Sequence, residues 1–246
     1  MENHYRKALH GKTFNYSIEE YPFKALLTSL YGCELESIHE YIGDMDTFDQ
    51  ANDQKTLIHK VFYSNFERLI EPLYIKFIKN IIVPIIKVPF YYQKIPTFRI
   101  GLPGNKFVGE FHKDSKYNHQ GYEVNFNLGI CGYTGEAALQ VEESEGSNKF
   151  YILECPYGKI FSFDHISCLH GSNPNPSNIT MISFDFRLAI ESLYFVSDKS
   201  SIGKAARNVP GVDVVVAKDL SAEHLAPGGD VGRLTVFTKE ALGEMR

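Results

Sequence analysis

Thr180-Met181-Ile182-Ser183-Phe184-Asp185-Phe186-Arg187-Leu188 is the stretch that decides the fold. Successive side chains of an extended strand point to opposite faces. Ile182, Phe184, Phe186 and Leu188 therefore share one face, and Met181, Ser183, Asp185 and Arg187 the other. The first face asks for a core. The second carries a guanidinium that must be paired if it points inward, because an unpaired buried charge is too costly.

The same two-residue period extends upstream as far as Tyr91. It predicts strands over 97–102, 107–112, 122–130, 137–142, 149–153, 158–164 and 179–188, separated by turns rich in Gly, Asn, Pro and Ser. With no helical pattern between them, the arrangement expected is an antiparallel sandwich or barrel. Residues 17–88 read differently. Ser17-Ile18-Glu19-Glu20 offers a capping start, and Phe23, Leu26, Leu27 and Leu30 follow at helical spacing. Leu57, Val61, Phe62, Phe66 and Leu69 mark a second helix expected to end near Pro72, and Ile75, Ile78, Ile81 and Ile82 carry the pattern to Pro84. The fold class expected is mainly β with N-terminal helices. Residues 1–90 form a helical layer on the sheet, and 91–200 form the β core.

Composition bounds the function. The 246 residues are 43% hydrophobic and 22% charged, enough apolar surface for a core, and the net charge of −5 speaks against a phosphate-neutralising surface. The partner expected is a small-molecule substrate, with neither nucleic acid nor membrane involved. The apolar run Leu73–Pro89 is broken by Lys76, Lys79, Pro84 and Lys87 and cannot span a bilayer. Cys33, Cys131, Cys155 and Cys168 show no CxxC spacing, and no export signal is visible. A cytoplasmic protein with reduced thiols is expected.

Chemistry gathers at two places. His112 and Asp114 stand two residues apart at the end of a predicted strand and can present an imidazole and a carboxylate together. His170, after another strand, can add a second imidazole. Two His and one carboxylate with open positions opposite form the ligand set of non-haem Fe(II) oxygenases, and zinc suits the same atoms. Cys168 is a conceivable fourth ligand. His119 and His165 compete as imidazoles but read as surface or hydrogen-bonding residues. Arg187 fits either a structural bridge to an acid such as Asp185 or two-point contact with a bound carboxylate.

Several motifs resemble the 2-oxoglutarate/Fe(II)-dependent oxygenase superfamily and, within it, the streptomycin-biosynthesis StrG-like group. They are Phe98-Arg99-Ile100, Leu102-Pro103-Gly104-Asn105, Val108 to Ser115, Glu123-Val124-Asn125-Phe126, Val141 to Ser144, Leu169-His170-Gly171 and Ser183 to Arg187, in the family's order. The resemblance implies a double-stranded β-helix (a cupin-like jelly roll). It also implies metal ligands His112, Asp114 and His170, and a 2-oxoglutarate contact at Arg187, with Arg99 as second candidate. The cofactors implied are Fe(II), 2-oxoglutarate and O2. Glu123 and Asn125 share a strand face that would line the pocket. Two rival readings stay open on the same scaffold: a non-catalytic module binding a small acid or sugar, and a zinc or nickel lyase or isomerase.

Near residue 200 the composition breaks. All 15 tyrosines lie at or before Tyr194, whereas Ala, Gly and Val make up 19 of the last 46 residues. Ala205 to Val214, Leu225 to Gly229 and Gly232 to Thr238 resemble the C-terminal end of the fourth large-subunit ribosomal protein, archaeal type. Residues 201–246 therefore look like a fused fragment. It carries six basic and six acidic residues, too balanced to hold rRNA by itself, and is too short for its own core. A loosely packed or unfolded tail is expected, not an independent domain.

Overall fold

The computed structural model describes residues 4–41, 54–106, 110–117, 119, 122–190, 193–197, 212–221 and 235–244. They divide into two compact units, Met1–Lys87 with Tyr92–Ala189, and Val88–Tyr91 with Ile190–Arg246. Strands follow in chain order as β1 (Lys12–Asn15), β2 (Phe90–Tyr92), β3 (Thr97–Gly101), β4 (Glu123–Cys131), β5 (Leu139–Glu142), β6 (Phe150–Leu153), β7 (Lys159–Ser162), β8 (His170–Gly171) and β9 (Met181–Ile190). Of the expected strand over 107–112, residues 107–109 lie outside the described residues.

In the larger unit β9 is the central strand. It pairs antiparallel with β4 on one side and β3 on the other, and the sheet continues β4–β7–β1. A smaller antiparallel sheet runs β6–β5–β8. It gains a fourth line at His112, which exchanges both backbone hydrogen bonds with His170 at 2.9 Å. Leu139, Val141 and Leu153 of the smaller sheet share a core with Phe161, Met181, Tyr133 and Cys155. The described sheets of this unit are antiparallel throughout.

The apolar face of β9 meets the helices. Phe184 lies 5.5 Å from Phe23 and 5.4 Å from Phe62, centroid to centroid, and Phe62 stacks on Phe98 at 4.3 Å. Tyr74 meets Phe186 edge-on at 5.6 Å. These phenylalanines are fully or almost fully buried, each contributing about 1.5–3 kcal/mol by leaving water.

Two helical expectations need correction. Ser17 does not start a helix: its Oγ accepts the Glu20 amide in a turn, and the helix begins at Phe23. Pro22 is the reason, since its ring cannot continue a helix from residue 18 but serves well at the start of one. Nor does Pro72 end the second helix. Leu57–Asn65, Glu71–Phe77 and Val83–Ile86 are α-helical stretches joined by π-helical turns at Phe66–Ile70 and Ile78–Ile82. Each wide turn comes just before a proline, where it relieves the clash of the ring with the preceding turn. Among the described residues no helix is long and apolar enough to cross a membrane.

In the second unit the described residues 193–197, 212–221 and 235–244 form a small sheet and a short helix. A central strand β10 (Leu193–Ser197) pairs in parallel with both β11 (Val212–Val216) and β12 (Thr235–Phe237), and a short helix follows at Lys239–Glu244. Val196, Ala217 and Ala241 are buried together, with Val215, Leu220 and Phe237 against them. In that sheet β10, taken from before the composition break, supplies the middle strand, while residues 201–211 and 222–234 of the tail expected to be loose lie outside the described residues.

Candidate metal centre

The backbone ladder between His112 and His170 fixes the site, because it brings two histidines 58 residues apart onto neighbouring lines of one sheet. β8 is in turn held to β5 with Val141 opposite His170. Gly171 has to be glycine here: a Cβ would stand 2.8 Å from the Phe111 ring and 3.0 Å from its Cα. The loop before His170 is pinned twice. Arg6 donates to Asp164 at 2.6 Å in a buried pair, and Asp164 accepts the Ser167 amide. Glu142 accepts the amides of Asn148 and Leu169, which hold its carboxyl below the usual range.

The tips converge on Asp114. Its Oδ1 lies 3.2 Å from His112 Nε2 and 3.4 Å from His170 Nε2, and one donor atom from each residue falls within 4.8 Å of the others. Each imidazole is oriented from behind. His112 Nδ1 donates to the Glu110 carbonyl at 2.6 Å, and His170 Nδ1 to the Cys168 carbonyl at 3.1 Å. A proton on Nδ1 leaves the Nε2 lone pair facing the cluster, the tautomer a metal needs. Burial alone would raise the Asp114 carboxyl, but His112, His170 and Arg187 outweigh it and keep the acid far below its ordinary value. The donor set thus fits a divalent transition metal: two imidazole nitrogens and one carboxylate oxygen on one side.

Behind the triad a cavity of about 340 Å³, its open mouth included, runs between the sheets. Arg99, Asn125, Asn127, Asp185 and Arg187 give it a polar wall, and Tyr133, Leu139 and Phe163 line it too. Arg187 donates to Asp114 Oδ2 at 2.9 Å and lies 3.7 Å from Glu123. Arg99 pairs with Asp185 at 3.3 Å, and Asn125 donates to the other oxygen of Asp185 at 2.9 Å. Burial opposes the Arg187 charge, yet the acids around it raise its pKa above the ordinary value.

The chain resembles a streptomycin-biosynthesis protein. "Streptomycin biosynthesis protein StrG" of Streptomyces griseus is 27% identical over 187 residues, 76% of this chain and 88% of that one. The Ribosomal protein L4/L1 family model matches residues 154–246. Large ribosomal subunit protein uL4 of Methanocaldococcus jannaschii is 56% identical over 54 residues and that of Sulfurisphaera tokodaii 60% over 43, so this chain spans only 21% and 16% of their lengths. A solved structure, the non-heme alpha ketoglutarate dependent carbocyclase SnoK from nogalamycin biosynthesis, aligns over 85% of this chain and 91% of its own with 10% identity and a TM-score of 0.42.

The structure brings His112, Asp114 and His170 into one cluster and sets Arg187, Arg99 and Asn125 around the adjoining cavity. Glu123, expected to line the pocket, is not among the lining residues; it lies 3.7 Å from Arg187 and 2.9 Å from His119. Cys168 is not in the metal cluster: its thiol joins the apolar core, where burial pushes it up to about 12. His165 is no surface histidine. It is fully buried, its ring nitrogens find no hydrogen-bond partner among the described residues, Glu123 standing 3.9 Å away, and burial lowers its pKa. The sequence reading missed Asn127 and Tyr133. Asn127 had a signal, since it follows Glu123 and Asn125 at the same two-residue spacing; Tyr133 had none.

Proposed function

We propose that the protein is an Fe(II)- and 2-oxoglutarate-dependent oxygenase acting on a small molecule. The observation that carries this is the convergence of two Nε2 atoms on Asp114 with each Nδ1 satisfied by a carbonyl. The strand orders β3–β9–β4–β7 and His112–β8–β5–β6 support a double-stranded β-helix as the scaffold. Similarity to a streptomycin-biosynthesis protein supports a role in tailoring a secondary metabolite or sugar.

His112, Asp114 and His170 would hold the iron. When bound, iron would activate O2, the oxidant, with one oxygen atom going to the substrate and the other to the 2-oxo acid, which leaves as succinate and CO2. The chain's own residues do the rest. Glu110 and Cys168 carbonyls hold the imidazoles in the binding tautomer, Arg187 holds Asp114 ionised and aligned, and Arg99, paired with Asp185, presents a second guanidinium to the cavity. Phe163, Leu139 and the core behind them keep bulk water from the inner end.

The test is to incubate the full chain with Fe(II), ascorbate and 2-oxoglutarate and follow succinate. Slow succinate formation that disappears in His112→Ala is the expected result. No succinate, together with iron binding unchanged in His112→Ala, would overturn the oxygenase and leave a binding module.

A further inference from the structure

Resting on the metal centre of that reading, we propose that Arg6 is a positioning residue for the metal ligands, acting through Asp164 and the turn that leads into His170. Residues 163–169 lie in neither strand nor helix, so the turn keeps its shape through the bonds that cross it. Two of those bonds, from the Ser167 and Cys168 amides, end on Asp164, at Oδ1 and at the carbonyl oxygen, each at 3.0 Å. Asp164 Oδ1 also takes the Arg6 Nε–H at 2.6 Å, and both side chains are buried. Burial makes the carboxylate depend on that counter-charge.

All three metal ligands hang on the same turn. The Cys168 carbonyl accepts from His170 Nδ1 at 3.1 Å and so sets the tautomer of that ligand. The His165 carbonyl accepts the Asp114 amide at 2.9 Å. His112 is tied to the end of the turn by its backbone exchange with His170. From Arg6 the path to His170 Nδ1 therefore runs through Asp164 and Cys168 alone. A shift of Asp164 moves the two carbonyls that aim His170 and Asp114.

The strand register explains how residues 158 positions apart come to meet. β1 runs antiparallel to β7 with Lys12 opposite Ser162, so two residues further back His10 falls beside Asp164. From β1 the chain bends at Gly11, φ +71°, into the helix His4–Leu9 that carries Arg6. His10 adds a second tie. The Asp164 amide can only donate, so His10 Nδ1 accepts it, at 3.0 Å, and Nε2 carries the proton that goes to the Glu143 carbonyl at 2.9 Å. One imidazole thus joins the turn to the end of β5, where the Glu142 carboxylate takes the Leu169 amide. The ring is itself set edge-on against Tyr151 at 5.9 Å. Neither Arg6 nor His10 lines the cavity, so what they do for the site they do through the turn.

The experiment reads metal affinity against stability. The full chain is titrated with Mn(II) well below its unfolding midpoint, and free Mn(II) is counted by electron paramagnetic resonance. In Arg6→Gln with Asp164→Asn, which removes both charges together, Mn(II) affinity should fall about tenfold, the lower end of what outer partners of metal ligands are worth. Arg6→Lys, which keeps a positive charge beside Asp164, should recover most of that loss. Phe184→Ala, which loosens the helix face instead, should leave the affinity of the folded protein where it was. If the double variant does not fold, His10→Ala should still lower Mn(II) affinity about fivefold, the worth of one neutral hydrogen bond. Folded variants at Arg6 and His10 that bind Mn(II) as wild type does, whatever their melting temperatures, would reduce the clamp to a structural contact and overturn the inference. An equal loss in Phe184→Ala would overturn it too, since affinity would then follow stability in general. A wild type that binds no Mn(II) would instead overturn the metal centre itself, and this inference with it.

Discussion

The two faces of the larger sheet are built by the same strands and do opposite work. On β9, Phe184 and Phe186 press into the helices, while Asp185 and Arg187, one residue out of phase, line the cavity. One face gains stability by excluding water and asks only for fit. The other gains little net stability from its buried ion pairs, since desolvation offsets attraction, but fixes the position of each polar group. Substitutions on the two faces should therefore separate stability from binding.

The largest effects test that separation directly. His112→Ala and His170→Ala should each weaken Mn(II) or Fe(II) binding by at least ~100-fold, because each removes a direct ligand where even outer partners are worth 10–100-fold. The metal-free melting temperature should fall much less than on loss of a core phenylalanine. Phe184→Ala should do the reverse: a cavity among Phe23, Phe62 and Phe98 costs about 3–5 kcal/mol, read by denaturant unfolding. Metal affinity in the surviving folded protein should be retained. If Phe184→Ala also abolished metal binding at temperatures where it stays folded, the two faces would not be independent.

Gly171→Ala sits between the two classes and should have an intermediate effect. The new methyl group meets the Phe111 ring and backbone, and Phe111 directly precedes His112. Overpacking of this kind costs about 1–3 kcal/mol. Here the strain is relieved by moving the backbone that carries a ligand, so stability and metal affinity should fall together, the latter about tenfold. A stability loss with unchanged affinity would mean that Phe111 yields without disturbing His112.

Much of this architecture is legible in the sequence because it is periodic. The alternation through Ile182 to Leu188 and the repeat of Phe62, Phe66 and Leu69 follow from burial on one face, which recurs at fixed spacing. What escaped is not periodic. β1 has one apolar residue in four, Phe14, and no alternation to show; β8 is two residues long and exists through its partners. The prolines at 72 and 84 look like helix ends because a sequence displays the clash but not the wide turns that relieve it. In the site, His112 and Asp114 were readable as an i, i+2 pair, but spacing alone did not single out His170 from His165 and His119; the family resemblance did. The partner of Arg187 was not readable: Asp185 is nearer in sequence, but as its i−2 neighbour it stands a strand step away, and Asp114 reaches the guanidinium from another element. Burial of His165 likewise depends on what covers it, which no local pattern records.

The smallest effect concerns protons at the metal-binding face. In the metal-free protein burial disfavours the charged His112 imidazole, but Asp114 and the Glu110 carbonyl more than offset this and raise its pKa above the usual 6.5. A proton there occupies the site a metal would take. Metal affinity should therefore begin to fall while the pH is still above 6.5, by about tenfold per unit once His112 is protonated. Asp114, held far below the carboxylate range, stays ionised across this window and adds no slope. The sign for stability is opposite. A raised histidine pKa stabilises the metal-free fold fully below the unfolded value, and that contribution disappears as pH rises through the folded one. Saturating metal removes the proton and with it this dependence. Melting curves of metal-free protein between about pH 5.5 and 8.5 should thus lose some stability toward the alkaline end, while Mn(II) titrations over the same range tighten. Metal affinity that declines only below pH 6.5 would show that Asp114 does not hold a proton on His112, and that the metal-bearing face gains no order from that pair before the metal arrives.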